Sequence, residues 1–179
     1  SITTWHLVLP RRLTCAKRSL ANARMTQQQD DTRFMRLAIE QALKAQELGE
    51  VPIGAVVTYE DEVIAQAHNR REIDHDPAGH AEFLALKQAA RELDRWRLSG
   101  CIVYVTLEPC LMCAGLMQQS RIDRCVYGAS DSKGGALGTL YQIHDDTRLN
   151  HRFAVVSGIL ENECAALLSD FFARLREKK

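Results

Sequence analysis

Residues 101–115 read CIVYVTLEPCLMCAG, and the fold turns on how this stretch divides. Cys101 to Thr106 is a short, continuous run of β-branched and apolar residues, the pattern of a strand buried on both faces. Pro109 then opens a helix, a position that tolerates proline because its missing N–H has no intrahelical partner there. Working outward, Cys125 to Tyr127 reads as the next strand, Phe153 to Ser157 as a last one and Glu161 to Arg176 as a closing helix. Upstream, Ile53 to Tyr59 and Val63 to Ala67 flank Glu60-Asp61 and read as a hairpin. Apolar residues at helical spacing mark helices over Asp31 to Leu48, ended by Gly49, and over His80 to Asp94. Asn69 to Gly79 and Gly128 to Gly138 are loops. A hairpin followed by alternating helices and strands predicts a three-layer α/β/α fold with a central mixed five-stranded sheet.

The chain has 179 residues, 46% hydrophobic and 26% charged, which excludes wholesale disorder and suits one domain with an appendage. Lys and Arg total 23, as do Asp and Glu, so the net charge is zero. That sum divides unevenly. Residues 1–24 carry Arg11, Arg12, Lys17, Arg18 and Arg24 without an acid, leaving 18 bases against 23 acids in the rest. The apolar stretch Trp5 to Leu9 is too short for a signal-peptide core and ends at Pro10. Residues 1–24 are therefore read as a basic, poorly ordered extension with Met25 as the natural start, and residues 25–179 as a single domain. No apolar run approaches the ~20 residues that span a bilayer, so no membrane partner is expected.

Six cysteines are scattered through the chain, and two stand as Cys110-Leu111-Met112-Cys113 directly after Pro109. At i and i+3 both sulfurs reach one point, and in a first helical turn the dipole favours thiolates. Alone, a C-x-x-C is a metal half-site, a redox pair or a coincidence. Upstream, His80-Ala81-Glu82 opens another helix. One imidazole and two thiolates make three ligands for a tetrahedral Zn²⁺, leaving a fourth position for water as catalytic sites do. Zinc lowers the pKa of bound water from about 15.7 toward ~7. Glu82, at i+2 from His80, does not share its face and so suits proton transfer over ligation. Each residue taken singly is more often a cap or core side chain. The ordered pair H-x-E and P-C-x-x-C is the known signature of the zinc nucleobase deaminases. Cys15, Cys101, Cys125 and Cys164 are read as tail or core residues, and His6, His68 and His144 as surface or loop residues.

With those motifs in place, residues from about Arg33 to Arg176 resemble the bacterial tRNA-specific adenosine deaminases of the cytidine/deoxycytidylate deaminase superfamily. The resemblance runs through VPIGAVV (51–57), HDPAGHAE (75–82), VTLEPCLMCAG (105–115), SRIDRCVYGASDSKGGALG (120–138), LNHR (149–152) and GILENECAALLSDFF (158–172). It implies the cytidine-deaminase-like fold and one Zn²⁺ per subunit held by His80, Cys110 and Cys113, with Glu82 as proton shuttle. It implies Asn69 on a flipped adenine, and Asp131, Lys133, Asn150 and His151 around the nucleotides of a tRNA anticodon stem-loop. It further implies a cytoplasmic homodimer that converts adenosine to inosine at the wobble position, expected on arginine tRNA with an ACG anticodon. Ala78-Gly79, Leu116 and Thr139 depart from the usual residues, and Gly79 would loosen the approach to His80. Two other readings stand beside this one: the same chemistry on a free base or nucleotide of the guanine or deoxycytidylate type, and a non-catalytic zinc-stabilised RNA-binding module. The body's bases gather at Arg121, Arg124, Lys133, Arg148, Arg152, Arg174, Arg176, Lys178 and Lys179, enough for an RNA footprint on an acidic body if they share a face.

Overall fold

A computed structural model describes residues 20–178. The expectations for Trp5 to Leu9, Arg11, Arg12, Lys17, Arg18, His6 and Cys15 lie outside the described residues. The elements run α1 (Leu20–Glu47), β1 (Gly54–Tyr59), β2 (Glu62–His68), α2 (Ala81–Glu92), β3 (Cys101–Leu107), α3 (Leu111–Ser120), β4 (Arg124–Ala129), a 3-10 turn (Ile143–Asp145), β5 (Ala154–Val156) and α4 (Glu161–Glu177). They form the three-layer α/β/α arrangement read from the sequence, around a five-stranded mixed sheet of order β2-β1-β3-β4-β5. β1 pairs antiparallel with β2 and β3, whereas β3, β4 and β5 run parallel.

Period-two alternation sorts the strands' side chains between the two helical layers. Ala55 and Val57 of β1 and Val103 and Val105 of β3 face one cluster with Ala85, Leu86 and Ala89 of α2 and Ala114 and Met117 of α3. Val56 and Tyr104 face the other, with Phe34, Met35 and Ala38 of α1 and Cys164 of α4. Gly54 lets α1 press against β1: a Cβ there would lie 2.0 Å from the Ala38 carbonyl oxygen. Glu60 and Asp61 both take left-handed backbone (φ 51° and 62°), the two-residue hairpin turn whose twist matches that of the strands.

Four elements depart from the sequence reading at their boundaries. α1 begins at Leu20, eleven residues before Asp31 and inside the segment read as an extension. Pro109 precedes the helix it was expected to open, because Cys110 takes the N-cap and α3 starts at Leu111. β4 runs on through Gly128 and Ala129, and β5 is only three residues long.

Candidate active site

Ligands of open α/β sheets gather outside the carboxyl ends of parallel strands. Here β3 ends into Glu108-Pro109-Cys110 and β4 into the loop that begins at Ser130. A cavity of about 600 Å³ opens there, lined by Glu50 and Asn69 on one side, Glu108, Cys110 and Asp131 on another, and Phe171, Phe172 and Leu175 of α4. His80 and Glu82 also line it.

Two helix N-termini point their first residues at one spot. His80 is the N-cap of α2 and Cys110 the N-cap of α3; both have extended backbone, and neither side chain caps its own helix. Both side chains are thus left free for other work. The Nδ1 of His80 lies 3.6 Å from the Sγ of Cys110 and 3.6 Å from that of Cys113. All three ligand atoms fall within 4.8 Å of one another. Metal–sulfur and metal–nitrogen bonds of about 2.3 and 2.0 Å at tetrahedral angles put S and N about 3.5 Å apart. The donor set and its spacing both fit a zinc ion. Hydrogen bonding from Cys113 and His80 draws the Cys110 thiol down to about 4, against the pull of burial. Its partner Cys113 is driven up by that same bond and by burial, and a metal, which binds thiolates, would release protons from the pair.

Two buried carboxylates meet the cavity with their pKa values shifted in opposite directions. Glu82, 4% exposed in the first turn of α2, has its pKa raised, chiefly by burial. It suits holding and releasing a proton. Burial pushes Glu108 up as well, but hydrogen bonds from the Thr139 hydroxyl and from the backbone N–H groups of Asp131, Thr139 and Leu137 outweigh it and hold it low. Environments that separate two carboxyl groups in this way assign them different work.

Asn69 lines the cavity, as does Asp131. The Asn69 amide donates to Glu50 (3.3 Å) and to the Val51 carbonyl (3.4 Å), and accepts from the Arg71 N–H (3.3 Å). Lys133 is exposed and lines a neighbouring groove with Ser169, Phe172, Leu175 and Arg176. Asn150 and His151 do not line the cavity: Asn150 accepts from Gln118 (2.9 Å), and the His151 ring bonds the Ile122 carbonyl (2.8 Å) and stacks on Phe153. The Gly79 N–H donates to the Asp76 carbonyl (2.9 Å) and its carbonyl accepts from the Arg70 N–H (2.9 Å). The basic cluster is thinner in the fold than in the sequence. Arg124 is spent on buried Asp31, while Arg148 and Arg152 pair with Asp146 and Asp145. Arg174, Arg176 and Lys178 stay exposed on or just after α4.

Sequence reasoning missed Glu50 and Glu108, 1% and 2% exposed. The available signal was a lone acid beside an apolar strand, in GEVPIG and TLEPC. Such an acid requires donors from elsewhere in the chain.

Residues 29–176 match the family described as MafB19-like deaminase. The chain is 51% identical over 149 residues to the tRNA-specific adenosine deaminase of Bacillus subtilis, a match covering 83% of this chain and 92% of that one. A solved structure from work on A-to-I editing by tRNA:A34 deaminases superposes with a TM-score of 0.74 at 42% identity, covering 76% of this chain and 99% of that one. A guanine deaminase from Bacillus subtilis matches with a TM-score of 0.53 at 32% identity, covering 55% of this chain and 63% of that one.

Proposed function

The chain belongs to the MafB19-like deaminases and to the family of tRNA-specific adenosine deaminases, and from that premise we propose that it hydrolyses the 6-amino group of the wobble adenosine of a tRNA, giving inosine and ammonia. The observation that carries this reading is the convergence of His80, Cys110 and the buried Glu82 on one cavity of nucleoside dimensions, with Cys113 behind them completing the ligand group. The expected substrate is arginine tRNA with an ACG anticodon. Its loop presents an unpaired base, for which extrusion costs least of the few kcal/mol otherwise required.

His80, Cys110 and Cys113 would hold one zinc ion per subunit. When bound, zinc supplies Lewis acidity that brings the pKa of a water from about 15.7 toward ~7. Glu82 takes a proton from the attacking water and passes it to the purine N1 as oxygen bonds to C6. It then moves the second water proton to the amine, the C6–N6 bond breaks and ammonia leaves. The raised pKa of Glu82 suits both directions of that transfer. Asn69 orients the base at the cavity wall. Asp131, which lines the cavity, and Lys133, which lines the neighbouring groove, contact the flanking anticodon nucleotides together with Asn150 and His151. Phe172 and Arg176 give that groove an aromatic face and a cation, the combination that accommodates single-stranded nucleic acid.

A homodimer is supported by the exposed apolar side chains Leu111 and Met112 in the first turn of α3 and Leu140 and Tyr141 in the nearby loop. Among the described residues no helix is long and apolar enough to cross a membrane. A cytoplasmic location follows from the substrate proposed. The competing reading, a free-base deaminase, draws on the guanine deaminase likeness. Incubation with ACG-anticodon arginine tRNA followed by nucleoside digestion decides between them. Inosine is expected; turnover of guanine or deoxycytidylate without inosine would transfer the assignment to the competitor.

A further inference from the structure

Glu108 is the hub of the loop that follows β4. Its Oε2 accepts from the Asp131 N–H (3.0 Å) and the Thr139 hydroxyl, and its Oε1 from the N–H groups of Leu137 (3.1 Å) and Thr139 (3.0 Å). Four donors occupy the roughly four acceptor sites of a carboxylate, so Glu108 has no capacity left for a proton relay or a metal although it lines the cavity. The loop's backbone lies directly on the carboxylate: a Cβ at Gly135 would fall 2.3 Å from its Cδ. The loop is also tied to the ligand-bearing turn, since Gly135 bridges Cys110 and the Ala136 N–H donates 2.9 Å to the Pro109 carbonyl. One end of the cage is thus two residues from a metal ligand, and the other is the backbone of Asp131, whose side chain lines the cavity and accepts 2.9 Å from the Lys133 N–H.

We infer that Glu108 is a positioning residue for substrate recognition, fixing Asp131 on the wall of the cavity that His80 and Cys110 also line by collecting the loop's N–H groups on one carboxylate. It touches no reacting atom and acts through Asp131. Pre-organising a recognition side chain in this way lowers the ordering cost of binding RNA, so its loss appears in KM. The inference rests on the tRNA deaminase reading above.

The test measures kcat, KM and bound zinc on an ACG anticodon stem-loop for the wild type, Glu108→Gln, Asp131→Ala and the double variant. Glu108→Gln keeps the shape but turns an amide NH₂ toward backbone donors. KM should rise about tenfold, as expected for a hydrogen bond to a charged group, with kcat and zinc content nearly unchanged. Because Glu108 acts through Asp131, the double variant should be no worse than the poorer single one. Thr139→Val, which removes one donor and leaves the carboxylate, should raise KM in the same direction by a smaller factor, and it replaces Glu108→Gln if that variant does not fold. Additive effects, an unchanged KM in Thr139→Val and Glu108→Gln, or loss of zinc together with activity would each overturn the inference. A wild type that makes no inosine from the stem-loop would instead count against the functional reading.

Discussion

Asp31 of α1 reaches across to the sheet and meets Arg124 of β4 and Tyr104 of β3. The Arg124 Nη1 donates to Asp31 Oδ2 at 3.0 Å, its Nη2 also bonds Asp31, and the Tyr104 hydroxyl donates to Asp31 Oδ1 at 3.1 Å. The side chains of Arg124 and Asp31 are 15% and 5% exposed. Replacing Asp31 with Asn keeps the volume and one acceptor but leaves the guanidinium charge without a counter-charge. Breaking a buried pair from one side costs roughly 3–5 kcal/mol. Because Asn retains the acceptor for Tyr104, the lower end applies, about 3 kcal/mol. In a chain of this length each kcal/mol moves Tm by about 2–4 °C, so Asp31→Asn should melt roughly 6–12 °C lower. Thermal unfolding followed by circular dichroism reads this directly. Tyr104→Phe, which loses one hydrogen bond, should cost only about 1 kcal/mol. Asp31→Leu with Arg124→Met, which removes both charges, should recover most of the loss. An Asp31→Asn Tm equal to wild type would refute the reasoning, showing that the ion pair contributes nothing to holding α1 on the sheet.

Stripping metal with a chelator should stop deamination, and added zinc should restore it. After stripping, iodoacetamide should label Cys110, half-buried with a thiol drawn to about 4, well ahead of the buried Cys101, Cys125 and Cys164; equal labelling of all four would contradict the site. Acid should release the 131–139 loop before the rest of the fold. The Glu108 pKa is depressed in the folded chain, so its contribution is complete above the unfolded value of 4.5 and is lost as pH falls through the lower folded one. Amide exchange protection at Asp131, Leu137 and Thr139 should fall across that window in the wild type, and protection unchanged to full acid unfolding would count against it.

Much of the fold and the site is legible in the chain because it is written locally. CIVYVT announces a two-face-buried strand through β-branching alone, and His80 and Cys110 announce themselves by chemistry at helix starts. What is not legible depends on distance. Glu50 and Glu108 are satisfied by backbone donors more than twenty residues away, Ile73 for the first and Asp131, Leu137 and Thr139 for the second, which no periodicity records. Asn150 and His151 stand out by motif alone, and the fold engages both with Gln118 and Ile122. Gly128 reads as the start of a loop because glycine weakens strands, yet it lies in β4 where Cys164 of α4 presses close: a Cβ there would lie 2.4 Å from that sulfur. The zero net charge is the least informative number of all, since Arg124, Arg148 and Arg152 cancel locally against Asp31, Asp146 and Asp145.

The central claim is that His80, Cys110 and Cys113 hold zinc while Glu82 moves the protons. Its most direct test is a single-turnover assay of inosine formation on ACG-anticodon arginine tRNA by Glu82→Ala, with zinc counted in the same sample. Zinc content equal to wild type, with inosine formation lowered by about 10²–10⁴, is the expected result. Deamination at the wild-type rate would show that Glu82 is not the shuttle, and the proton-transfer mechanism built on it would fail.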